Sequence, residues 1–373
     1  MKHGFHFFGP VLALLYVGMN AYAAAWLLRY FRPGRAAAWA LICVFTVLAA
    51  AFPTARSVEA VYGGAAGHAW MRLGFTWLGA SFILFYVLLF FDIIFRALRA
   101  FGRSVPAKPY GAAALACAGL LIGLAIINGA SQPHVKRIDA ALPGLPEGLD
   151  GFRIVQISDL HLGRLTGNEK LKLLAEQINS LEPDLIVFTG DIFERREIVP
   201  EQTCAVIRTL KARYGLAAAL GNHDLFAGQS RAADLLSGCG VRVLRGTVYE
   251  PVKGLLVGGV DDLRRARLQP PAAERFSAEL LKSGKPVILL SHQPDGWEPL
   301  MKGAPGLVLS GHTHNGQIFP FNLIELPFFK YFYGLYKDRD TLLYVTSGAG
   351  TWGPPLRLFT DSELPLITLR RQR

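Results

Sequence analysis

Five short clusters in the second half of the chain gather the residue types that bind divalent metals: Asp159-Leu160-His161, Gly190-Asp191, Gly221-Asn222-His223-Asp224, Ser291-His292 and Gly311-His312-Thr313-His314. One residue separates Asp159 from His161 and His312 from His314. In extended backbone each such pair points to one side and can reach one ion. Asp191, on a turn after Gly190, can bridge two ions through its two carboxylate oxygens, while Asn222 offers a neutral carbonyl oxygen and His292 an imidazole nitrogen. Mixed oxygen and nitrogen ligation suits Mn, Fe or Zn better than Ca or Mg. Two such ions about 3.5–4 Å apart can generate a hydroxide and clamp the attacking and leaving oxygens of a phosphoryl group. Any one cluster alone would be a turn or an ordinary histidine. All five, in order, point to metal-assisted phosphoester chemistry.

Each cluster follows a short apolar run. Runs at 152–158, 185–189, 216–220, 287–290, 307–309 and 342–346 read as buried strands, and helical patterns at 169–181 and 201–213 separate some of them. Strands alternating with helices predict an α/β domain with largely buried sheets. Ligands in such folds bind beyond the carboxyl ends of the strands, where these clusters fall.

The first third of the chain is of another kind. The chain has 373 residues, 51% hydrophobic and 18% charged, against roughly 25% charged for an ordinary soluble domain. The charge deficit lies before about residue 130, in apolar stretches at 7–28, 36–52, 73–95 and 111–128. A spanning helix needs about 20 apolar residues, so four transmembrane helices are expected, the second being the shortest. Asp92 has Arg96 as its i+4 neighbour, which reads as an interfacial ion pair.

The net charge of +11 sits largely beside these stretches, at Arg29, Arg32, Arg35, Arg96, Arg99, Arg103 and Lys108, with Lys136 and Arg137 after the fourth. Such charge reflects topology and anionic lipid; membrane lipids are the expected partners and nucleic acid is not. The second loop carries only Arg56 and Arg72. The positive-inside rule then places loops one and three in the cytoplasm and everything after the fourth helix outside it. A Pro- and Gly-rich stretch at 131–150 reads as a linker. The expected organisation is a transmembrane helical region at 1–130, the linker, and a catalytic domain at 151–373. Oligomeric state is not legible.

The four cysteines form no metal or redox motif. Cys204 and Cys239 read as two buried thiols, a disulfide being the alternative if the domain is exported.

The series D-x-H, G-D, G-N-H-D, a later histidine and G-H-x-H resembles the calcineurin-like metallophosphoesterases over about 152–373. The wording Ile157-Ser158-Asp159-Leu160-His161-Leu162-Gly163 and Gly311-His312-Thr313-His314-Asn315-Gly316-Gln317 is most similar to the membrane-associated bacterial subgroup. Ser291 stands where many members have Gly, and Asn315 where Gly is frequent; neither change removes a ligand. The resemblance implies an α/β fold of two packed β-sheets flanked by helices. It implies that Asp159, His161, Asp191 and His314 hold one metal and that Asp191, Asn222, His292 and His312 hold the second. His223 is then left near the phosphate, to stabilise developing charge or protonate the leaving oxygen, with Asp224 orienting its ring.

The expected protein is therefore a multi-pass enzyme of the inner (cytoplasmic) membrane with an outward catalytic domain. It would hydrolyse a phosphoester, which could be lipid-linked, by metal-bound hydroxide without a covalent enzyme intermediate. A second enzymatic reading is a cytoplasm-facing pyrophosphohydrolase of a nucleotide-linked lipid such as UDP-diacylglucosamine. A scaffold or transport unit with a vestigial domain is a third, disfavoured by seven intact ligands. The run at 318–332, rich in Phe, is either a core-covering loop or an apolar lip touching the bilayer, and Arg357 is a candidate phosphate contact.

Overall fold

The computed structural model describes residues 5–194, 200–262, 270–301 and 304–372; the outer bounds of the expected domains, Met1 and Arg373, fall outside them. It divides into two compact units, Met1–Ala130 with Gly353–Leu358, and Ser131–Trp352 with Phe359–Arg373.

The first unit contains helices α1 (Phe5–Phe31), α2 (Arg35–Tyr62), α3 (Gly64–Ala100) and α4 (Ala107–Ala130), all long and apolar enough to cross a membrane. The stretch expected as the second loop is helical instead: α2 runs on through Pro53 and only Gly63 separates it from α3. Arg56, Glu59 and Arg72 lower the hydropathy there without lowering helix propensity. The two helices approach closely at Gly74, where a Cβ would come within 2.6 Å of Ala51 O. Small residues at a crossing are how apolar helices meet backbone to backbone. Asp92 takes more than the expected partner: Arg96 Nε at 3.0 Å, Arg29 Nη1 at 3.2 Å and Tyr30 OH at 2.9 Å all donate to it.

The second unit is a sandwich of two six-stranded sheets. The first is built from β1 (His134–Leu142), β2 (Arg153–Ile157), β3 (Leu185–Thr189), β4 (Leu216–Ala219), β5 (Arg242–Val243) and β12 (Glu363–Arg371), in the order β1-β12-β2-β3-β4-β5. The second contains β6 (Thr247–Val252), β7 (Leu255–Val260), β8 (Val287–Ser291), β9 (Gly306–Ser310), β10 (Gly334–Asp338) and β11 (Thr341–Val345), in the order β10-β11-β9-β8-β7-β6. Strands β2 to β5 are parallel, as are β7, β8, β9 and β11; β6 and β10 close the second sheet antiparallel. Ile154, Val187, Ile288, Leu290 and Leu309 fill the space between the sheets. Helices α5 (Asn168–Ser180), α6 (Pro200–Ile207) and α7 (Asn222–Gly238) cover the outside of the first sheet, and α8 (Pro270–Ser283) that of the second. At about 0.8 kcal/mol per buried CH₂, these apolar layers hold the strand ends that carry the site.

Two further sequence expectations change. Residues 134–142, within the expected linker, form β1, a strand parallel to β12 over nine register pairs from His134↔Glu363 to Leu142↔Arg371. Only 143–150 keeps turn character, because Pro143 and Pro146 cannot donate to a ladder. Cys204, on α6, and Cys239, at the end of α7, are joined as a disulfide rather than left as thiols.

Candidate metal centre

All five clusters lie at carboxyl ends of strands: β2 leads to Asp159 and His161, β3 to Asp191, β4 to Asn222 and His223, β8 to His292 and β9 to His312 and His314. Both sheets thus deliver ligands to one edge of the sandwich. The turns that deliver them are costly. Asp159, His161, Asp191, His312 and His314 all have φ between 47° and 75°, a region that side chains other than Gly rarely occupy. Each such residue costs of order 1–3 kcal/mol and persists where the surroundings over-determine it. The adjoining glycines are equally constrained. A Cβ on Gly221 would overlap the Asp191 carboxylate, and one on Gly311 would overlap Asp159 Oδ2 and Ser158 Oγ.

The predicted ligands assemble into two groups. Asp159, His161 and His314 form one; Asp191, His292 and His312 form the other. Within the first, His161 Nε2 faces His314 Nε2 at 3.2 Å, and Asp159 Oδ1 lies 3.4 Å from His314 Nε2. Within the second, His312 Nδ1 faces His292 Nε2 at 3.2 Å. Asp191 Oδ2 stands between the groups, 3.1 Å from His292 Nε2 and 3.9 Å from His161 Nε2. Asn222, expected as a ligand, opens α7, and its Oδ1 is buried with no hydrogen-bond partner among the described residues.

These features fit a pair of divalent cations. Two imidazole nitrogens facing each other can share at most one proton, and an orphaned buried carbonyl costs about 1–3 kcal/mol unless something electropositive meets it. His292 Nδ1 lies 2.9 Å from Thr189 O, which fixes the tautomer by occupying that N–H and turns Nε2 toward the centre.

The electrostatics agree. Burial disfavours a charged His292, yet the Asp191 carboxylate beside it pushes it up to about 10. Burial likewise raises Asp191, but the His292 charge overrides it and holds the carboxyl well below its ordinary range. Asp159 is raised by burial. Without cations the cluster balances its carboxylates by keeping protons on imidazole, and cations would take the place of those protons.

His223 belongs to neither of these groups but, with His161 and Glu194, to a third that could also hold an ion, and Asp224 does not orient it. The Asp224 carboxylate is spent on backbone: Oδ1 accepts from Ile192 N at 3.0 Å and Phe193 N at 2.8 Å, and Oδ2 from Gly221 N at 2.9 Å. The physical reason is position. Asp224 is the third residue of α7, so its side chain folds back on the N-cap and ties that turn to the Asp191 loop. The group beside His223 is Glu194, which the sequence reading missed. Its Oε2 lies 3.1 Å from His223 Nδ1 and 2.8 Å from His161 Nδ1. Burial opposes its charge, but these two imidazoles hold Glu194 down at about 2. A glutamate three residues after Asp191 reads in sequence as a solvated turn residue; only the fold shows both histidines converging on it.

Arg357 is also placed elsewhere. It is fully buried, at 0% exposure, and its backbone N–H donates to Ala125 O in the helical unit, so it is closed to a substrate phosphate. The run after the last motif divides in two. Ile318 and Phe332 are buried and Phe329 packs on the His312 ring at 5.8 Å, whereas Leu323, Ile324, Leu326 and Phe328 (76% exposed) face outward.

A family model described as calcineurin-like phosphoesterase matches residues 152–316. A zebrafish (Danio rerio) "transmembrane protein with metallophosphoesterase domain" is 31% identical over 325 residues, covering 81% of this chain and 74% of that protein. The chain belongs to the calcineurin-like metallophosphoesterases. A bovine (Bos taurus) protein of the same description is 30% identical over 300 residues, covering 74% of this metallophosphoesterase and 67% of the relative. The uncharacterized metallophosphoesterase YkuE of Bacillus subtilis is 35% identical over 243 residues, covering 61% and 82%. The metallophosphoesterase is a metal-dependent phosphoester hydrolase by family, with two mixed sheets flanked by helices and four long apolar helices ahead of them.

Proposed function

We propose that this chain is a membrane-anchored hydrolase of a lipid-linked phosphoester that uses two divalent cations. The observation that carries the reading is Asp191 Oδ2, set between the two ligand groups at 3.1 Å and 3.9 Å from an imidazole of each. Asp159, His161, Asp191 and His314 would hold one ion, and Asp191, Asn222, His292 and His312 the other. Bound there, such ions neutralise phosphoryl oxygens and acidify a water. The chain's own contribution is His223. With Nδ1 on the Glu194 carboxylate, its Nε2 is the nitrogen that meets the leaving oxygen and hands it a proton.

Two features refine the reading. The Cys204–Cys239 disulfide supports a domain exported across the inner membrane, since such bonds persist in oxidising compartments. It counts against the cytoplasm-facing nucleotide–lipid hydrolase. A C-terminal reporter that matures only outside the cytoplasm should be active, and maturation only inside would reverse this placement.

The exposed Leu323, Ile324, Leu326 and Phe328 form an apolar lip on the segment that leaves the His312–His314 turn. Burying one such side chain in lipid is worth about 1.5–3 kcal/mol. Leu326→Ser with Phe328→Ser should therefore cut kcat/KM on a phosphodiester lipid in mixed micelles by about tenfold or more, leaving turnover of a soluble aryl phosphodiester unchanged. Phe329 is left intact because it packs on His312. Equal losses on both substrates would exclude a lipid-facing lip.

A further inference from the structure

Asp92 gathers more positive charge than it can neutralise. It is buried near the end of α3, and Arg29 Nη1 and Arg96 Nε both donate to it, at 3.2 Å and 3.0 Å. Two guanidinium charges thus share one carboxylate. Tyr30 OH, at 2.9 Å, adds a bond but no charge. A guanidinium carries five N–H donors in a fixed fork. Asp92 occupies one nitrogen of each arginine, so Nε and Nη2 of Arg29 and both Nη atoms of Arg96 meet no acceptor among the described residues. Both side chains are open to their surroundings, at 47% and 66% exposure.

The forks are held in place. Asp92 fixes Arg29 and Arg96, while Arg99, three residues on, lies over the Phe95 ring at 5.5 Å from its centroid. Phe95 in turn packs edge-on against Tyr30, with centroids 5.0 Å apart. Side chains ordered in advance spare a ligand the cost of ordering them. The surface leading to them is apolar: Leu89, Ile93 and Arg96 recur at helical spacing on one face of α3, and Leu89 and Ile93 are exposed. A free phosphate would use the forks alone. A molecule with an anionic head and hydrocarbon chains would use both.

We propose that Arg29 and Arg96 form a binding site for one anionic phospholipid, whose phosphate accepts from the unused N–H groups while an acyl chain lies along Leu89 and Ile93. Bidentate pairing with phosphate is what the guanidinium fork is shaped for. A single seated lipid differs from the diffuse attraction that any basic loop exerts on an anionic bilayer. The site belongs to the helical unit alone, whatever ester the metal centre hydrolyses.

The test is native mass spectrometry of the full chain in detergent, titrated with phosphatidylglycerol or phosphatidylcholine. The wild type should retain one phosphatidylglycerol at concentrations where phosphatidylcholine leaves no adduct. Arg29→Lys with Arg96→Lys keeps both charges and can still pair with Asp92, but it removes the forks. This variant should need about tenfold more phosphatidylglycerol for half occupancy, the worth of one charge-assisted hydrogen bond. Ile93→Ser should weaken retention by a similar factor, about tenfold, through the lost apolar contact. Arg103→Gln with Lys108→Gln removes two charges outside the site and should bind as wild type does. If the lysine pair fails to fold, Arg29→Lys alone should shift binding the same way by a smaller factor. Unchanged binding in the lysine variants, or an equal loss in the Arg103 and Lys108 variant, would reduce the effect to diffuse charge and overturn the proposal. Displacement of the lipid by excess inorganic phosphate, with Ile93→Ser silent, would overturn it in favour of a soluble anion.

Discussion

His223→Ala is expected to keep both metal ions and to lose about 10²- to 10⁴-fold in kcat, the range for removing a positioned proton donor. The expected ligand sets leave its ring out, but the ring also forms, with His161 and Glu194, a third group close enough to hold an ion, its Nδ1 3.1 Å from Glu194 Oε2, so metal content is the deciding readout. What His223 gives the metal centre is its backbone: the N–H donates to Asp191 Oδ1 at 2.8 Å and survives truncation to alanine. Its position at the start of α7 adds the helix N-terminus, whose partial positive charge favours phosphate nearby. Metal analysis beside steady-state kinetics checks the prediction. Metal loss in proportion to activity would show that the imidazole is a ligand after all.

Asp191→Asn should damage metal binding as well as turnover. Outer-shell partners of a metal site typically cost 10–100-fold in affinity or activity, and a shared ligand should exceed about 100-fold on both. The amide keeps the volume and the Oδ1 that accepts from His223 N, so the turn should survive. What disappears is the second anionic oxygen, Oδ2, set between His292 and His161. The variant also removes the charge that holds His292 up at about 10. Its imidazole should therefore lose its proton at lower pH, so the loss of metal cannot be blamed on a protonated His292. A variant that bound metal and turned over like wild type would show that Asp191 bridges nothing.

How much of this could be read from sequence follows from the physics of each element. The strands delivering ligands are continuous apolar runs buried on both faces, so β3 was legible over the same residues, 185–189, and β2, β4, β8, β9 and β11 to within a residue or two. Edge strands lack that signature. β1 and β6 alternate or stay half-exposed, and the pairing of β1 to β12 depends on residues far along the chain. Helix α6 ends at Ile207 rather than near 213, because the chain turns there and Lys211 N is taken up by Asn179 Oδ1. At the site, the ligands were legible because their chemistry is carried by residue type. Glu194 was not, since a lone glutamate acquires meaning only from what the fold sets beside it. Arg357 misled for the same reason: a cation after two prolines reads as exposed, and it is fully buried.

The most direct test of a two-metal centre is Mn(II) bound per chain, measured with turnover on the metal-stripped full-length protein as the ion is added back. The wild type should be inactive without metal and reach full activity at two ions per chain, whereas Asp191→Asn should not fill the pair at the same concentrations. Undiminished hydrolysis by the metal-free chain, or a plateau at one ion, would contradict the account.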